Sequence, residues 1–414
     1  MEYPKLRPIE ALPYDEPGQD RIILRDPSNL TETAIVVPYN ALEILSLFDG
    51  NRSILEIQSA YAERHATILA REQIEGLIKT LDKNLFLDSE TFRRFLNDVE
   101  EEFRRSDLRK ATLAGKGYED DPVKLRRQLD AYFTSDGVPG RVSAAASKPE
   151  DGNVSKTGIK GAVLPHIDLG RGGTCYAWGY REIEESANAK CFILLGTFHG
   201  AAKRLFNLTK KDFETPFGRL RTDGEMVDAL ERDGGKGLFQ DEFVHRNEHS
   251  IEFQALFLKY LYKEADDVTI VPVLCSSFYE IMSGEASPSS VQEVDDFLKA
   301  LRGAIGRCGR DVFFLASADL SHVGPRFGDP APLTEQQLHE IEEEDIKMIR
   351  FIEDVDAEGF FSNVQKDGDK RKICGLSPIY VLLKLIDASR GRLLQYKQWP
   401  DPMGMVSFAS ISFH

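Results

Sequence analysis

Four of the eight histidines in this 414-residue chain stand where a fold could gather them. Three follow apolar runs suited to buried strands, directly or after a short turn: Val163-Leu-Pro-His166-Ile-Asp168, Ile193-Leu-Leu-Gly-Thr-Phe-His199-Gly200 and Ala316-Ser-Ala-Asp-Leu-Ser-His322. The fourth, in Asn247-Glu-His249-Ser-Ile-Glu252, opens a helix. Taken singly each is an ordinary polar residue, but imidazoles at several strand ends of one sheet point to a metal or acid–base site. A divalent first-row transition metal would be held by neutral imidazole nitrogens and one anionic group, with positions left open for substrate. His166 and His199 are the first two expected ligands. The third is Cys374, or a carboxylate such as Asp319. Cys374 precedes Gly375 and an apolar helix and follows Arg371 and Lys372, a setting that favours a thiolate. His322 is the expected proton donor or acceptor. Asp319, three residues earlier, would orient it if the turn begins a helix and the two share a face. Glu248 and His249 would line the substrate side, and Asp168 adds an anion near the site.

The elements that must position these groups alternate. Gly161–Leu164, Cys191–Gly196, Val268–Leu274, Asp311–Ala316 and Val406–Phe413 read as strands, and Ser250–Leu261 and Pro378–Ile386 as helices between them. That order predicts an α/β fold with a mixed, mainly parallel sheet flanked by helices. Ligand groups then fall at the strand exits, where open α/β sheets bind. Ahead of this region, Arg21–Arg25 and Thr33–Val37 suggest a hairpin, and 40–48, 54–61 and 73–81 read as helices, with Ser53 capping the second. Residues 85–87 suggest a closing strand, and the proline-rich 1–20 an arm that hardly packs. Residues 90–133 are charged and helical in pattern and are expected to bridge the two parts. The stretch 134–157, rich in Ser, Gly, Ala, Pro and Lys, is the linker candidate. The expected division is therefore an N-terminal domain over 1–135, a linker over 136–157 and a large domain over 158–414.

Composition narrows the functional classes. Apolar content of 42% and charged content of 29% are those of a globular protein, and no apolar run approaches a membrane span. The start Met1-Glu-Tyr-Pro-Lys5 lacks a signal-peptide pattern, so a cytoplasmic location is expected. A formal net charge of -16 argues against nucleic acid as a partner. The five cysteines are odd in number and form no Cys-x-x-Cys pair, which indicates neither a disulfide framework nor a zinc ribbon.

Two resemblances extend this reading. The hairpin, three helices and terminal strand of the N-terminal part resemble the PqqD-like winged-helix domains that grip leader peptides in peptide-modifying systems. This implies a small α+β domain and a peptide or radical-SAM enzyme partner. Further on, Pro165-His166, Leu195-Gly-Thr-Phe-His199, Thr215-Pro-Phe-Gly218, Glu248-His-Ser-Ile-Glu252, Ser317-Ala-Asp-Leu-Ser-His322 and Ile373-Cys-Gly375 before Pro378-Ile379 resemble, in order and spacing, the Memo family, which includes the AmmeMemoRadiSam system protein B proteins. The resemblance implies a fold like that of class III extradiol dioxygenases. It also implies a pocket where His166, His199 and Cys374 bind iron or copper beside Asp319 and His322. The expected function is a non-haem metal oxidoreductase; the alternative is a peptide-binding adaptor with a degenerate site. Ring cleavage would need a carboxylate in the ligand set, Asp319 or Glu248 in place of the thiolate. The family's usual His-Ala-Gly-aromatic continuation is replaced here by His166-Ile-Asp-Leu-Gly-Arg-Gly-Gly173.

Overall fold

The computed structural model describes residues 1–14, 20–28, 30–31, 33–135, 137–138, 158–187, 189–262, 267–284 and 286–414. They form two compact units, Met1–Ser106 and Asp107–His414.

In the first unit, β1 (Glu10–Pro13), β2 (Arg21–Arg25) and β3 (Ile35–Pro38) make an antiparallel sheet in the order β1-β2-β3. The β2–β3 pairing, with Ile22 opposite Val37, is the expected hairpin. β1 corrects the expectation of a loose arm. It pairs with β2 from Glu10–Arg25 to Pro13–Ile22, because Pro8 and Pro13 leave the amides of residues 10–12 intact and an edge strand tolerates proline at its end. Helices α1 (Ala41–Leu45), α2 (Ile54–His65), α3 (Arg71–Lys83) and α4 (Glu90–Arg105) follow, and Ser53 and Glu56 form a capping box at α2. Leu24, Leu45, Phe48, Ile57, Ile74 and Leu81 belong to a core of this unit's own. The expected strand at 85–87 is reduced to one bridge between Leu6 and Leu87.

The second unit begins earlier than expected. β4 (Leu108–Arg109) and α5 (Pro122–Phe133) belong to it. The reason is burial: Leu125, Leu129 and Phe133 of α5 pack into a core of the large sheet. The boundary therefore falls at Asp107, and the expected linker at 136–157 lies outside the described residues apart from 137 and 138.

The chain continues through β5 (Gly161–Leu164), α6 (Leu169–Ser186), β6 (Cys191–Thr197), β7 (Phe206–Leu208), β8 (Asp212–Thr215), β9 (Gly218–Thr222), α7 (Gly224–Gly234), α8 (Ser250–Leu261) and β10 (Thr269–Cys275). Then come α9 (Tyr279–Met282), α10 (Gln292–Cys308), β11 (Val312–Ser317), β12 (His322–Val323), α11 (Glu335–Glu353), α12 (Ala357–Gln365), α13 (Leu376–Leu385), β13 (Gly391–Asp401) and β14 (Gly404–Phe413). The sheet order is β12-β14-β5-β11-β6-β10-β9-β8-β4, with β13 on β14 and β7 on β10. β5, β11, β6, β10 and β9 run parallel, and β14 runs antiparallel to β5. This is the expected mixed sheet with helices on both faces.

Side-chain alternation explains the continuous apolar runs. Ile193 and Leu195 of β6 enter one core, which takes in α7, α10 and α13, while Phe192 and Leu194 enter the other, with α5, α6 and α8. A strand covered on both faces has no polar side, so the first polar group after it marks its exit. No described helix is long and apolar enough to cross a membrane.

Candidate metal centre

β5, β11 and β6 are sheet neighbours, so the residues leaving their C-terminal ends meet in one place. His166 leaves β5, His199 leaves β6, and Asp319 and His322 follow β11. His249 arrives from the side as the cap residue of α8. The ligand nitrogens of His166, His199 and His249 all lie within 4.8 Å of one another. The rings of His199 and His249 stack at 4.9 Å, and that of His166 stands nearly perpendicular to both.

Hydrogen bonds set the tautomers. His166 Nδ1 lies 3.0 Å from the carbonyl of Ser317, which can only accept, so the proton sits on Nδ1 and Nε2 keeps its lone pair. Glu248 does the same for the other two rings. Its carboxylate lies 3.1 Å from Nδ1 of His199 and 3.1 Å from Nδ1 of His249, and it also accepts the backbone N–H groups of His199 and Ser250 at 3.0 Å. Burial works against an ionised Glu248, but the bonds from His199 and His249 outweigh it and hold the carboxyl well below its usual range. For His249, burial disfavours the cation and Glu248 more than compensates, raising its pKa. Burial, aided by the charges of His199 and His249, pushes His166 well below the usual imidazole range. Glu248, expected to face substrate, therefore works behind the rings instead.

Asp319 is 2% exposed. Burial pushes its pKa up to about 6, against the backbone N–H groups of His166 and Ile167. It accepts the His166 N–H at 3.0 Å and lies 3.7 Å from His166 Nε2. The segment after β11 is a loop entering β12 rather than a helix, so Asp319 serves His166 and does not orient His322. Instead, His322 Nδ1 meets the Leu320 carbonyl at 3.1 Å, and its ring stands edge-on to Phe327 at 5.1 Å. Its backbone N–H donates to the Arg371 carbonyl at 2.6 Å. Burial pushes the His322 imidazole down to about 4.

Cys374 lies with its Sγ 3.4 Å from His166 Nε2 and 3.6 Å from the Asp319 carbonyl, beside the three-histidine group. The expected thiolate is not favoured. Arg371 is engaged by Asp345 at 2.5 Å and Lys372 by Asp329 at 2.9 Å. Burial, followed by the Asp319 charge, holds the thiol well above its usual range.

A cavity of about 420 Å³ opens over the histidines. His166, His199, His249, Asp319 and His322 line it, with Asp168 and Arg171 at the start of α6 and Arg326 and Phe327 beyond β12. Asp168 caps α6 by accepting the Arg171 N–H at 3.1 Å and also binds the Arg171 guanidinium.

Sequence reasoning missed one wall. Leu113 and Gly117 line the cavity from the segment between β4 and α5. Glu252, 1% exposed, anchors that segment. It pairs with Arg109 and accepts from the Thr112 backbone and hydroxyl, the Leu113 N–H and the Tyr118 hydroxyl. The available signal was a lone acid inside the apolar run Ile251–Leu258, which requires a buried partner.

Fold and site define an α/β protein with a histidine cluster at the strand exits of a mixed sheet, His166 buried and His199 and His249 open to the cavity. The model of the Memo-like protein family matches residues 109–412, starting two residues after the unit boundary. A MEMO1 family protein of Aquifex aeolicus is 27% identical over 417 residues, covering 99% of this chain and 100% of that protein. One of Methanopyrus kandleri is 28% identical, covering 74% of this chain and 98% of its own. One of Thermus thermophilus is 25% identical, covering 84% and 94%. The chain belongs to the Memo-like family.

Proposed function

We propose that the large unit is a non-haem metal oxidoreductase whose centre takes iron or copper on His166, His199 and His249, with Cys374 beside them. One observation carries the reading: all three imidazoles have Nδ1 engaged by an oxygen acceptor, which leaves Nε2 lone pairs for an ion. Carboxylate or carbonyl partners behind ligand histidines are the usual arrangement in metal sites. Bound there, such an ion would supply one-electron chemistry and Lewis acidity toward a substrate in the cavity. The chain's own part is to hold the rings, to line the cavity with the apolar side chains of Leu113, Phe253 and Phe327, and to offer protons. His322, with Nδ1 engaged by the Leu320 carbonyl, and the buried Asp319 both line the cavity, where they can exchange protons with a substrate.

The test is metal content by mass spectrometry after anaerobic purification. Wild type should carry close to one equivalent, His199→Ala and His249→Ala should lose most of it, and Cys374→Ala should show whether the thiol is a further ligand. Unchanged stoichiometry in both histidine variants would sink the centre.

A second reading rests on the first unit, which has its own core. We propose that it holds a peptide or a radical-SAM enzyme partner, as its resemblance to PqqD-like domains suggests. Titration of the full chain with peptides encoded beside its gene tests this, and absence of binding to all of them counts against it.

A further inference from the structure

We propose that the cavity over the histidines takes a small organic acid, its apolar body against Leu113, Phe253 and Phe327 and its carboxylate held by Arg171 and Arg326. The inference rests on reading that cavity as the reaction chamber and names the class of molecule that enters it.

The cavity, about 420 Å³, is in the range of small-molecule sites. Its walls divide by chemistry. Apolar side chains line its flanks, and Arg171 and Arg326 are the guanidinium groups that line it. Each is fixed by one acid of the chain. Asp168 binds Arg171 through Nε, and Asp401 binds Arg326 through Nη1 at 2.9 Å. A guanidinium has five N–H donors in a planar fork, so one carboxylate contact leaves donors for a second, bidentate acid. Anchoring removes much of the entropy cost of ordering the side chain when a ligand arrives. Arg326 is further fixed by its backbone N–H on the Met403 carbonyl at 2.8 Å, and the adjoining Phe327 packs on His322.

The supply of donors also sets the direction of entry. Glu248 already occupies Nδ1 of His199 and His249, so those ring nitrogens offer a ligand carboxylate no donor, and the guanidinium donors lining the cavity are those of Arg171 and Arg326. Beside the arginines, the carboxylates of Asp168 and Asp401 are already engaged by Arg171 and Arg326.

The experiment is calorimetric titration of the metal-free full chain with benzoate, with benzamide as the neutral counterpart and phenyl phosphate as the alternative anion. Benzoate should bind, with benzamide at least about fivefold weaker, and Arg171→Gln and Arg326→Gln should each weaken benzoate about fivefold while leaving benzamide unchanged. Arg171→Lys should recover part of the loss, which distinguishes lost charge from a damaged fold. Benzamide binding as tightly as benzoate, no benzoate binding, or benzoate unchanged in both glutamine variants overturns the proposal. Phenyl phosphate binding more tightly than benzoate overturns the carboxylate assignment. Because the titration uses metal-free protein, a wild type without bound metal leaves its result standing, and a failed titration leaves the metal centre standing.

Discussion

The Cys374 thiol lies 3.4 Å from Nε2 of His166, the nitrogen left free when Nδ1 binds Ser317. Without an ion the S–H has two acceptors, this lone pair and the Asp319 carbonyl at 3.6 Å, and both keep the thiol neutral. Burial and then Asp319 raise the thiol's pKa, so thiolate forms only as pH climbs past the ordinary thiol range. In metal-free protein at pH 8, iodoacetamide should label Cys374 at least about tenfold more slowly than the half-buried Cys308, the gap narrowing as pH rises. Peptide mass spectrometry reads both rates; faster labelling of Cys374 contradicts the neutral thiol.

Glu248 joins two imidazoles through one carboxylate, so replacing it acts on both. Glu248→Gln keeps the shape but adds an N–H donor where an acceptor is needed, and one ring must turn or change tautomer. Metal affinity should fall about 10- to 100-fold. Competition against a chromogenic chelator measures it, and an affinity equal to wild type would show that Glu248 does not orient the ligands.

The Arg109–Glu252 pair ties the start of the large unit to α8, with Arg109 0% and Glu252 1% exposed. Arg109→Met leaves a buried carboxylate without its cation and should cost about 3–5 kcal/mol. Adding Glu252→Gln should recover part of it, because the neutral amide leaves no unpaired charge while its oxygen still accepts from the segment it anchors. Both tryptophans, Trp178 and Trp399, lie in the large unit, so urea unfolding followed by their fluorescence reports on that unit. A double variant no more stable than Arg109→Met would assign the loss to packing.

How much of this was legible in the sequence follows from where each signal lives. The exits of β5, β6 and β11 were readable because strands buried on both faces leave unbroken apolar runs, and the histidines stand directly after them. The Arg109 anchor was not, since its partner lies 143 positions away and the charged neighbourhood of Arg109 looks like solvated surface. Cys374 misled for a related reason. Arg371 and Lys372 precede it in the chain, but Asp345 and Asp329 draw both cations to themselves. The sequence shows His249 only as a residue opening a helix, with no strand run ahead of it to mark a common exit. Only the position of α8 beside β6 brings it to His166 and His199.

His322 gives the pH prediction. Burial lowers its pKa from 6.5 to about 4 in the fold, so folding favours the neutral ring. The unfolded chain therefore binds the proton first as pH falls. The stabilising contribution is fully present above about 6.5 and is lost progressively between there and about 4, at no more than about 1.4 kcal/mol per pH unit. His322→Gln removes this one titration while leaving His245, lowered to about 3, in both proteins. The melting temperature of wild type should therefore fall more steeply than that of His322→Gln between pH 6.5 and pH 4.5, with parallel behaviour above pH 7. Scanning calorimetry at fixed ionic strength reads both curves. Equal slopes across the acid range would mean that the His322 ring is open to solvent and free to protonate in the fold.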